Sequence, residues 1–189
     1  GAGYGKTTAV VHGLTSLRVP CCWYSPGPED ASSFVFACHL AAALDPLLPG
    51  LKQRFAEALE DQDVFSWEKA LDFLLCCLGD REGGTAVLVV DDWHAVGREQ
   101  GVACIFDRFL AGKPGWLKVV ILSREKVALP EVCRLGARGE RLLIEDRNLT
   151  FTVQEAFDYL VQVGNRRVTR EDVLRIHEYT DGWAIALKL

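Results

Sequence analysis

Residues 85–94 read TAVLVVDDWH. The apolar run ends at Val90, and two aspartates follow it directly. The run is rich in β-branched residues and follows two glycines, Gly83 and Gly84. A short continuous run of this kind, bounded by turn residues, is typical of a strand that is buried on both faces, as in a parallel sheet covered by helices. The stretch therefore predicts an α/β fold, with Asp91 and Asp92 just beyond the carboxyl end of a central strand.

The segments on either side of this strand alternate between strand and helix patterns. Short β-prone runs predict further strands at residues 19–24, 117–124 and 140–146. Apolar residues at helical spacing predict helices at residues 6–14, 31–44, 51–59, 67–78 and 102–110. Alternation of strands and helices favours a mostly parallel sheet sandwiched by helices.

The signals change character after residue 148, where the strand patterns stop. Thr152 and Glu155 have the spacing of a capping box, and Thr169 is expected to cap a second helix. A third helix is expected to begin near Trp183. The sequence therefore predicts an α/β domain at residues 1–148, followed by the beginning of a helical sub-domain at residues 149–189.

The first eight residues, GAGYGKTT, match most of the phosphate-binding pattern G-x-x-x-x-G-K-[ST]. Gly5, Lys6 and Thr7 supply its second half. The first glycine of the pattern, and the strand that feeds the loop, are expected to precede residue 1. We therefore expect the chain to be a piece of a longer protein.

The residue types in this loop are those that bind a nucleoside triphosphate and its metal ion. Glycines let backbone N–H groups turn inward around a phosphate, and the following helix points its positive dipole end at the same anion. Lys6 is expected to reach the β- and γ-phosphates, Thr8 the α-phosphate, and the Thr7 hydroxyl to bind Mg²⁺. The predicted ligands are ATP or ADP with Mg²⁺, and the predicted nucleotide-binding residues are Gly3, Tyr4, Gly5, Lys6, Thr7 and Thr8.

Two further strand ends carry candidate catalytic groups. Ligands in open α/β sheets bind at the carboxyl ends of the strands, where Asp91 is expected to hold Mg²⁺ and Asp92 to orient or deprotonate the attacking water. Arg124 ends the next strand and is expected to approach the γ-phosphate. The predicted catalytic set is Asp92, Lys6 and Arg124. The alternatives are an acidic turn or helix cap for the aspartates, and a surface position for Arg124.

Composition narrows the class of protein. The chain has 189 residues, of which 49% are hydrophobic and 25% charged, as in globular domains. Its net charge of −5 disfavours a nucleic-acid surface, and no apolar run is long enough to span a membrane. Seven cysteines without a C-x-x-C pair favour buried free thiols in a reducing cytoplasm.

The sequence also predicts the location of four side chains outside these motifs. Cys38 and His39 fall together on an apolar helix and are predicted to lie in the core. His94 is predicted to be a loop residue near the aspartates. Trp183 is expected to be a packing anchor rather than a ligand contact.

Six segments together resemble the ATPase module of MalT-type transcriptional regulators, within the STAND class of signalling NTPases. They are AGYGKTT, WYSPGPED, VLVVDDWH, VVILSR, LTFTVQEAFDYL and DGWAIALKL. The resemblance covers nearly the whole chain. It implies a P-loop ATP-binding core and a helical lid, with an inducer and ATP together driving self-association. It also implies inducer-binding repeats and a LuxR-type DNA-binding domain outside this chain.

Two departures bear on the activity that the resemblance implies. Residues 182–184 read Gly-Trp-Ala where many STAND proteins have G-x-P, and Asp92 stands where fast ATPases have Glu. The shorter carboxylate is compatible with slow hydrolysis, so the sequence predicts a switch that hydrolyses ATP slowly to reset itself.

Three alternatives remain open at this point. One is a turnover NTPase, either a kinase or a ring-forming motor, for which Arg108, Arg134 and Arg138 are available as arginines reaching a neighbour. The second is a STAND protein with a different output domain. The third is an interaction module whose nucleotide site is vestigial.

Overall fold

The computed structural model describes residues 2–60, 66–79, 81, 83–164, 168–184 and 186. The chain divides into two compact units, one of residues Gly13–Leu142 and one that combines Gly1–His12 with Leu143–Leu189. We call the first the sheet unit and the second the helical unit. The predicted domain boundary at residue 148 stays a prediction.

Within the described residues, three strands form one parallel sheet in the order β1–β2–β3. They are β1 (Cys21–Tyr24), β2 (Ala86–Val90) and β3 (Leu117–Ile121). Leu88 at the centre of β2 lies opposite Cys22 on one side and Val119 on the other. Every residue of β2 is buried, which confirms the predicted central strand and the α/β class.

Six helices occur before residue 142 in the described chain, and five of them match predicted segments. Their bounds are α1 (Lys6–Leu17), α2 (Ser33–Leu44), α3 (Leu51–Glu60), α4 (Trp67–Gly79), α5 (Gln100–Gly112) and α6 (Pro130–Ala137). α6 was not predicted, although Pro130 at its first position is a typical helix start. α1 continues to Leu17, past the predicted end at residue 14, because the one glycine inside it, Gly13, costs only about 1 kcal/mol.

An aromatic cluster in the sheet unit anchors the turn that follows β2. The Trp93 ring lies 4.6 Å from that of Phe106, and Phe36 packs edge-on against Phe106 at 6.0 Å between centroids. All three side chains are buried. Since Trp93 directly follows the two aspartates, the core fixes the backbone from which they project.

The predicted strand at residues 140–146 is wrong. Residues 140–145 form no strand, and a short 3₁₀ helix follows at Asp146–Asn148. Leu142, Leu143 and Ile144 are 85%, 60% and 56% exposed. A strand depends on backbone hydrogen bonds to a neighbouring strand, and no described strand pairs with this segment, so its local β tendency is not realised.

The expectation that the cysteines are mostly buried is also wrong. All seven are free thiols, as predicted, but only Cys22 and Cys77 are buried. Burial raises the pKa of the Cys22 thiol to about 12, so this residue behaves as a small apolar side chain. Cys21, Cys76, Cys104 and Cys133 are exposed because they lie on the outer faces of the strand and helices that carry them.

The helical unit contains α7 (Val153–Gly164) and α8 (Arg170–Thr180). Both predicted capping residues are confirmed. Thr152 and Glu155 bond each other reciprocally at the start of α7, and Thr169 and Asp172 do the same at α8. Trp183 lies in no helix or strand, Ala184 and Ala186 lie in turns, and residues 185 and 187–189 of the predicted third helix lie outside the described residues.

Candidate functional site

The predicted phosphate-binding loop has the backbone geometry that its glycines permit. Gly3 and Gly5 have φ angles of +77° and +74°, in the left-handed region that other residues rarely adopt. α1 begins at Lys6, and the Ala9 N–H donates to the Gly5 carbonyl oxygen at 2.8 Å. The loop therefore runs directly into the amino end of a helix, the place where backbone N–H groups can surround an anion.

Trp183 contacts this loop within the helical unit. Its indole N–H donates to the carbonyl oxygen of Ala2, with Nε1 and O 3.0 Å apart. Its ring also lies 6.2 Å from the Tyr4 ring, tilted by 42°. The sequence analysis treated Trp183 as a packing anchor, and no local pattern could reveal a partner 181 positions away.

Gly182 holds Trp183 in this place. Its φ is +70°, and a Cβ at this residue would lie 2.2 Å from the carbonyl oxygen of Phe151. The Phe151 N–H donates to the Gly182 carbonyl oxygen at 2.9 Å, and the Phe151 carbonyl lies 2.8 Å from His177 Nε2. The residue before Trp183 is therefore docked tightly against the segment that leads into α7.

The acidic pair lies at the carboxyl end of β2 in the sheet unit, as predicted. The Asp91 N–H donates to the Tyr24 carbonyl oxygen at the end of β1, at 2.8 Å. One Asp91 carboxylate oxygen accepts the N–H of Asp92 at 2.9 Å. Asp92 has φ +51°, and its side chain forms no capping bond to the 3₁₀ helix Trp93–Ala95 that it precedes. The bonding therefore does not support the alternative of a helix cap.

Two basic side chains approach the same oxygen of Asp92. Arg124 Nε lies 3.9 Å and His94 Nδ1 3.7 Å from Asp92 Oδ1. Arg124 and Asp92 are both about half exposed, at 55% and 54%, so this ion pair contributes little to stability. Among the described residues, no hydrogen-bond partner faces the buried His94 Nδ1. The strand end thus brings Asp92, His94 and Arg124 together without locking them to one another.

A second polar cluster in the sheet unit was not predicted. The buried Asp30 carboxylate accepts hydrogen bonds from the Tyr24 hydroxyl at 2.8 Å and the Gly27 N–H at 2.7 Å, and it lies 2.6 Å from His39 Nδ1. Burial, and after it the bond to Asp30, raises the pKa of Tyr24. His39 was expected in the core but is 48% exposed, because the helix turns it towards the loop that carries Asp30. We call these residues the Asp30 brace.

The predicted metal ligands lie in different units, Thr7 in the helical unit and Asp91 in the sheet unit. Mg²⁺ at a phosphate site takes one or two protein oxygens together with phosphate and water, which suits a Thr and an Asp. No cluster of three or more His, Cys, Asp or Glu side chains that could hold a metal occurs in the part of the chain that the structure describes. Joint binding by Thr7 and Asp91 stays a prediction.

These features define a class of protein. A parallel α/β sheet flanked by helices is consistent with the fold of P-loop NTPases. The described helices include none that is both long and apolar enough to cross a membrane.

Known proteins resemble this chain along its whole length. The HTH-type transcriptional regulators MalT of Serratia proteamaculans and Yersinia enterocolitica are 30% and 29% identical to it over 191 aligned residues. The serine/threonine-protein kinase PknK of Mycobacterium tuberculosis is 28% identical over 191 residues. All three alignments cover 100% of this chain, but only 20% of each MalT and 17% of PknK.

The chain therefore spans about a fifth of the length of the curated relatives it matches. No protein-family model matches it. The relatives confirm the predicted resemblance to MalT-type regulators.

Proposed function

We propose that this chain is the ATP-binding switch module of a MalT-like transcriptional regulator, in which slow ATP hydrolysis resets an ATP-driven self-association. The observation that carries the proposal is the left-handed backbone of Gly3 and Gly5 directly before a helix that begins Lys6-Thr7-Thr8. A cradle of backbone N–H groups followed by a cation and a hydroxyl matches the charge and ligand needs of a nucleotide phosphate with Mg²⁺.

The strand end supplies complementary groups in this proposal. Asp91 would bind Mg²⁺, Asp92 would orient the attacking water, and Arg124 would respond to the γ-phosphate. The contact of Arg124 with Asp92 is loose and exposed, so either group can be redirected at little energetic cost when charge changes nearby. Groups that exchange partners in this way are suited to a switch that distinguishes ATP from ADP.

The relatives differ in their named activities but match the same whole chain, which supports a role for this chain that is common to them. Proteins named as transcriptional regulators and a protein named as a kinase match the same whole chain at nearly equal identity. The function of these residues is therefore best sought in what both kinds of protein have in common. Regulated binding of a nucleotide is one such role.

The wider role follows from the MalT relatives. DNA binding would come from another domain, and an inducer would bind outside these residues. Self-association would belong to the ATP state, and the protein would act in the cytoplasm.

The decisive experiment measures nucleotide binding and hydrolysis by the intact protein. We expect ATP and ADP to bind in the presence of Mg²⁺, with ATP turning over slowly. Lys6→Ala should weaken ATP binding at least about tenfold, since a charge-assisted contact contributes roughly 1.5–3 kcal/mol. The matched control is Lys69→Ala, an exposed lysine on α4, which should bind as the parent does. Equal affinities of the two variants would contradict the proposal.

The alternative function, a kinase or ring-forming motor with rapid turnover, requires different residues. A ring-forming motor needs an arginine that reaches a neighbouring subunit. Arg108 pairs with Asp72 at 2.6 Å and Arg134 with Glu131 at 2.8 Å, but both arginine side chains are exposed, at 43% and 59%, so either can be redirected as Arg124 can. Rapid multiple turnover by the intact protein would favour the motor or kinase instead.

A further inference from the structure

We propose that Trp183 is a positioning residue that links the segment 181–183, which follows α8, to the phosphate-binding loop by holding the Ala2 carbonyl. This inference rests on the proposed nucleotide-binding function and assigns it a coupling element. Trp183 contacts the loop through the backbone of Ala2.

The Trp183 contact sets the orientation of one peptide group. In a trans peptide the C=O of one residue and the N–H of the next point in opposite directions. The Trp183 indole donates to the Ala2 carbonyl oxygen at 3.0 Å, so the Gly3 N–H must point away from Trp183. A loop that binds phosphate through its amides requires such an orientation for each N–H that takes part.

The Ala2–Gly3 peptide group needs a restraint from outside the loop to keep its orientation. Gly3 has φ +77°, and glycine adopts positive and negative φ about equally readily. The Ala2–Gly3 peptide can therefore rotate at low cost unless one of its polar groups is held. The indole hydrogen bond supplies that restraint, and the Tyr4 ring packs against the same indole at 6.2 Å.

Trp183 is itself held in place through Gly182, which packs against Phe151. The Gly182 carbonyl accepts the Phe151 N–H at 2.9 Å, and a side chain at Gly182 would collide with the Phe151 carbonyl. His177 of α8 lies 2.8 Å from that same carbonyl. A continuous set of contacts thus runs from the loop through Trp183 to the start of α7 and the end of α8.

Phosphate binding and the docking of segment 181–183 are thermodynamically linked, so each affects the other equally. If the Trp183 contact strengthens phosphate binding by some factor, phosphate binding must strengthen the docking of segment 181–183 by the same factor. Occupancy of the loop would then be transmitted to the helices without any direct contact between them and the nucleotide.

The first test compares two tryptophan variants of the intact protein. Trp183→Phe keeps an aromatic ring and removes only the N–H donor. Trp116→Phe is the matched control, since the Trp116 indole also donates to a backbone carbonyl, that of Leu78 at 3.1 Å, but in the sheet unit. Fluorescent mant-ADP and unlabelled ATPγS serve as probes in equilibrium titrations.

We expect Trp183→Phe to weaken binding of both probes about three- to tenfold, the usual consequence of losing one hydrogen bond. Trp116→Phe should stay within about twofold of the parent. Equal affinities of the two variants would overturn the role of Trp183 and leave the proposed function standing. Absence of probe binding by the parent protein would overturn both.

The second test measures docking of segment 181–183 by hydrogen–deuterium exchange in the parent protein and in Trp183→Phe. The Phe151 amide reports whether segment 181–183 is docked, because its hydrogen bond goes to Gly182. Saturating ADP should slow hydrogen–deuterium exchange of this amide in the parent, and in Trp183→Phe the slowing should be lost even at saturation. A nucleotide that binds the parent without slowing exchange at Phe151 would refute the coupling.

Discussion

Asp92 shows how a single residue can be held for a role by its backbone. Its φ of +51° lies in the left-handed region, which aspartate tolerates better than most residues. In this conformation its N–H donates to the Asp91 carboxylate, and its own carboxylate is left about half exposed beside Arg124 and His94. The directions of both carboxylates are therefore set by one dipeptide.

Asp92→Asn tests the catalytic role at this scale. Asparagine also tolerates the left-handed backbone, so the change removes the charge with little strain. We expect single-turnover ATP hydrolysis in the intact protein to slow at least about 100-fold, the usual contribution of a positioned base, while ATP affinity changes less than about threefold. The control is Asp72→Asn, an exposed carboxylate on α4. Hydrolysis at the parental rate would show that Asp92 has no such role.

Asp30→Asn tests a structural residue. The buried carboxylate of the Asp30 brace accepts from Tyr24 and Gly27, and an amide in its place would offer donors where only acceptors fit. We expect the free energy of unfolding to fall by about 2 kcal/mol, measured by urea denaturation. Asp45→Asn, whose side chain accepts the exposed Lys52 N–H, should cost much less. If both variants unfold at the same urea concentration, the brace contributes no stability.

At the scale of elements, the helices of the helical unit depend on their ends. Ala156 and Val173 are the buried residues of its apolar core among those described, so packing contributes modestly. The capping boxes at Thr152 and Thr169 satisfy amide groups that would otherwise lack partners. Hydrogen bonds from Thr169 lower the pKa of Asp172, and those from Thr152 lower the pKa of Glu155.

These shifts predict how stability depends on pH. A carboxyl whose pKa is lower in the folded state stabilises the fold above its unfolded value, and the contribution is lost as pH falls through the folded value. For Asp172 the usual value is 3.8, so the loss should occur below that pH.

Asp172→Asn should therefore melt at a lower temperature than the parent at pH 6, with the difference shrinking as pH drops below 3.8. Far-ultraviolet circular dichroism measures the melting. The neighbouring Glu171→Gln, outside the capping box, serves as control. A difference that stays constant down to pH 2 would contradict the assignment.

At the scale of the whole molecule, binding and folding are linked. A ligand that binds only the folded protein raises its stability by RT ln(1 + [L]/Kd), about 2.7 kcal/mol when the ligand is at 100 times its Kd. The melting temperature of the intact protein should therefore rise with ADP concentration in the presence of Mg²⁺.

Lys6→Ala separates this effect from nonspecific stabilisation. Differential scanning calorimetry should show its melting temperature to rise less with ADP than that of the parent, whereas Lys69→Ala should respond as the parent does. An unchanged response in Lys6→Ala would mean that ADP binds somewhere other than the loop at residues 2–8.

The sequence by itself determined the features that depend on local interactions. The buried run of β2, the glycines before α1, the capping box of α7 and the Thr169 cap of α8 each act within a few residues, so their patterns predicted their structures. The exposed histidine of the Asp30 brace was misjudged, because its partner lies nine positions away on another element.

Only the tertiary structure decided which long-range contacts form. The segment at residues 140–146 has three β-prone apolar residues at its centre, but pairing requires a neighbouring strand that composition cannot supply. Trp183 meets Ala2 across 181 positions, a contact that exists because folding brings the two segments together. Local chemistry specifies each element's tendency, whereas the partners of its hydrogen bonds are specified by packing.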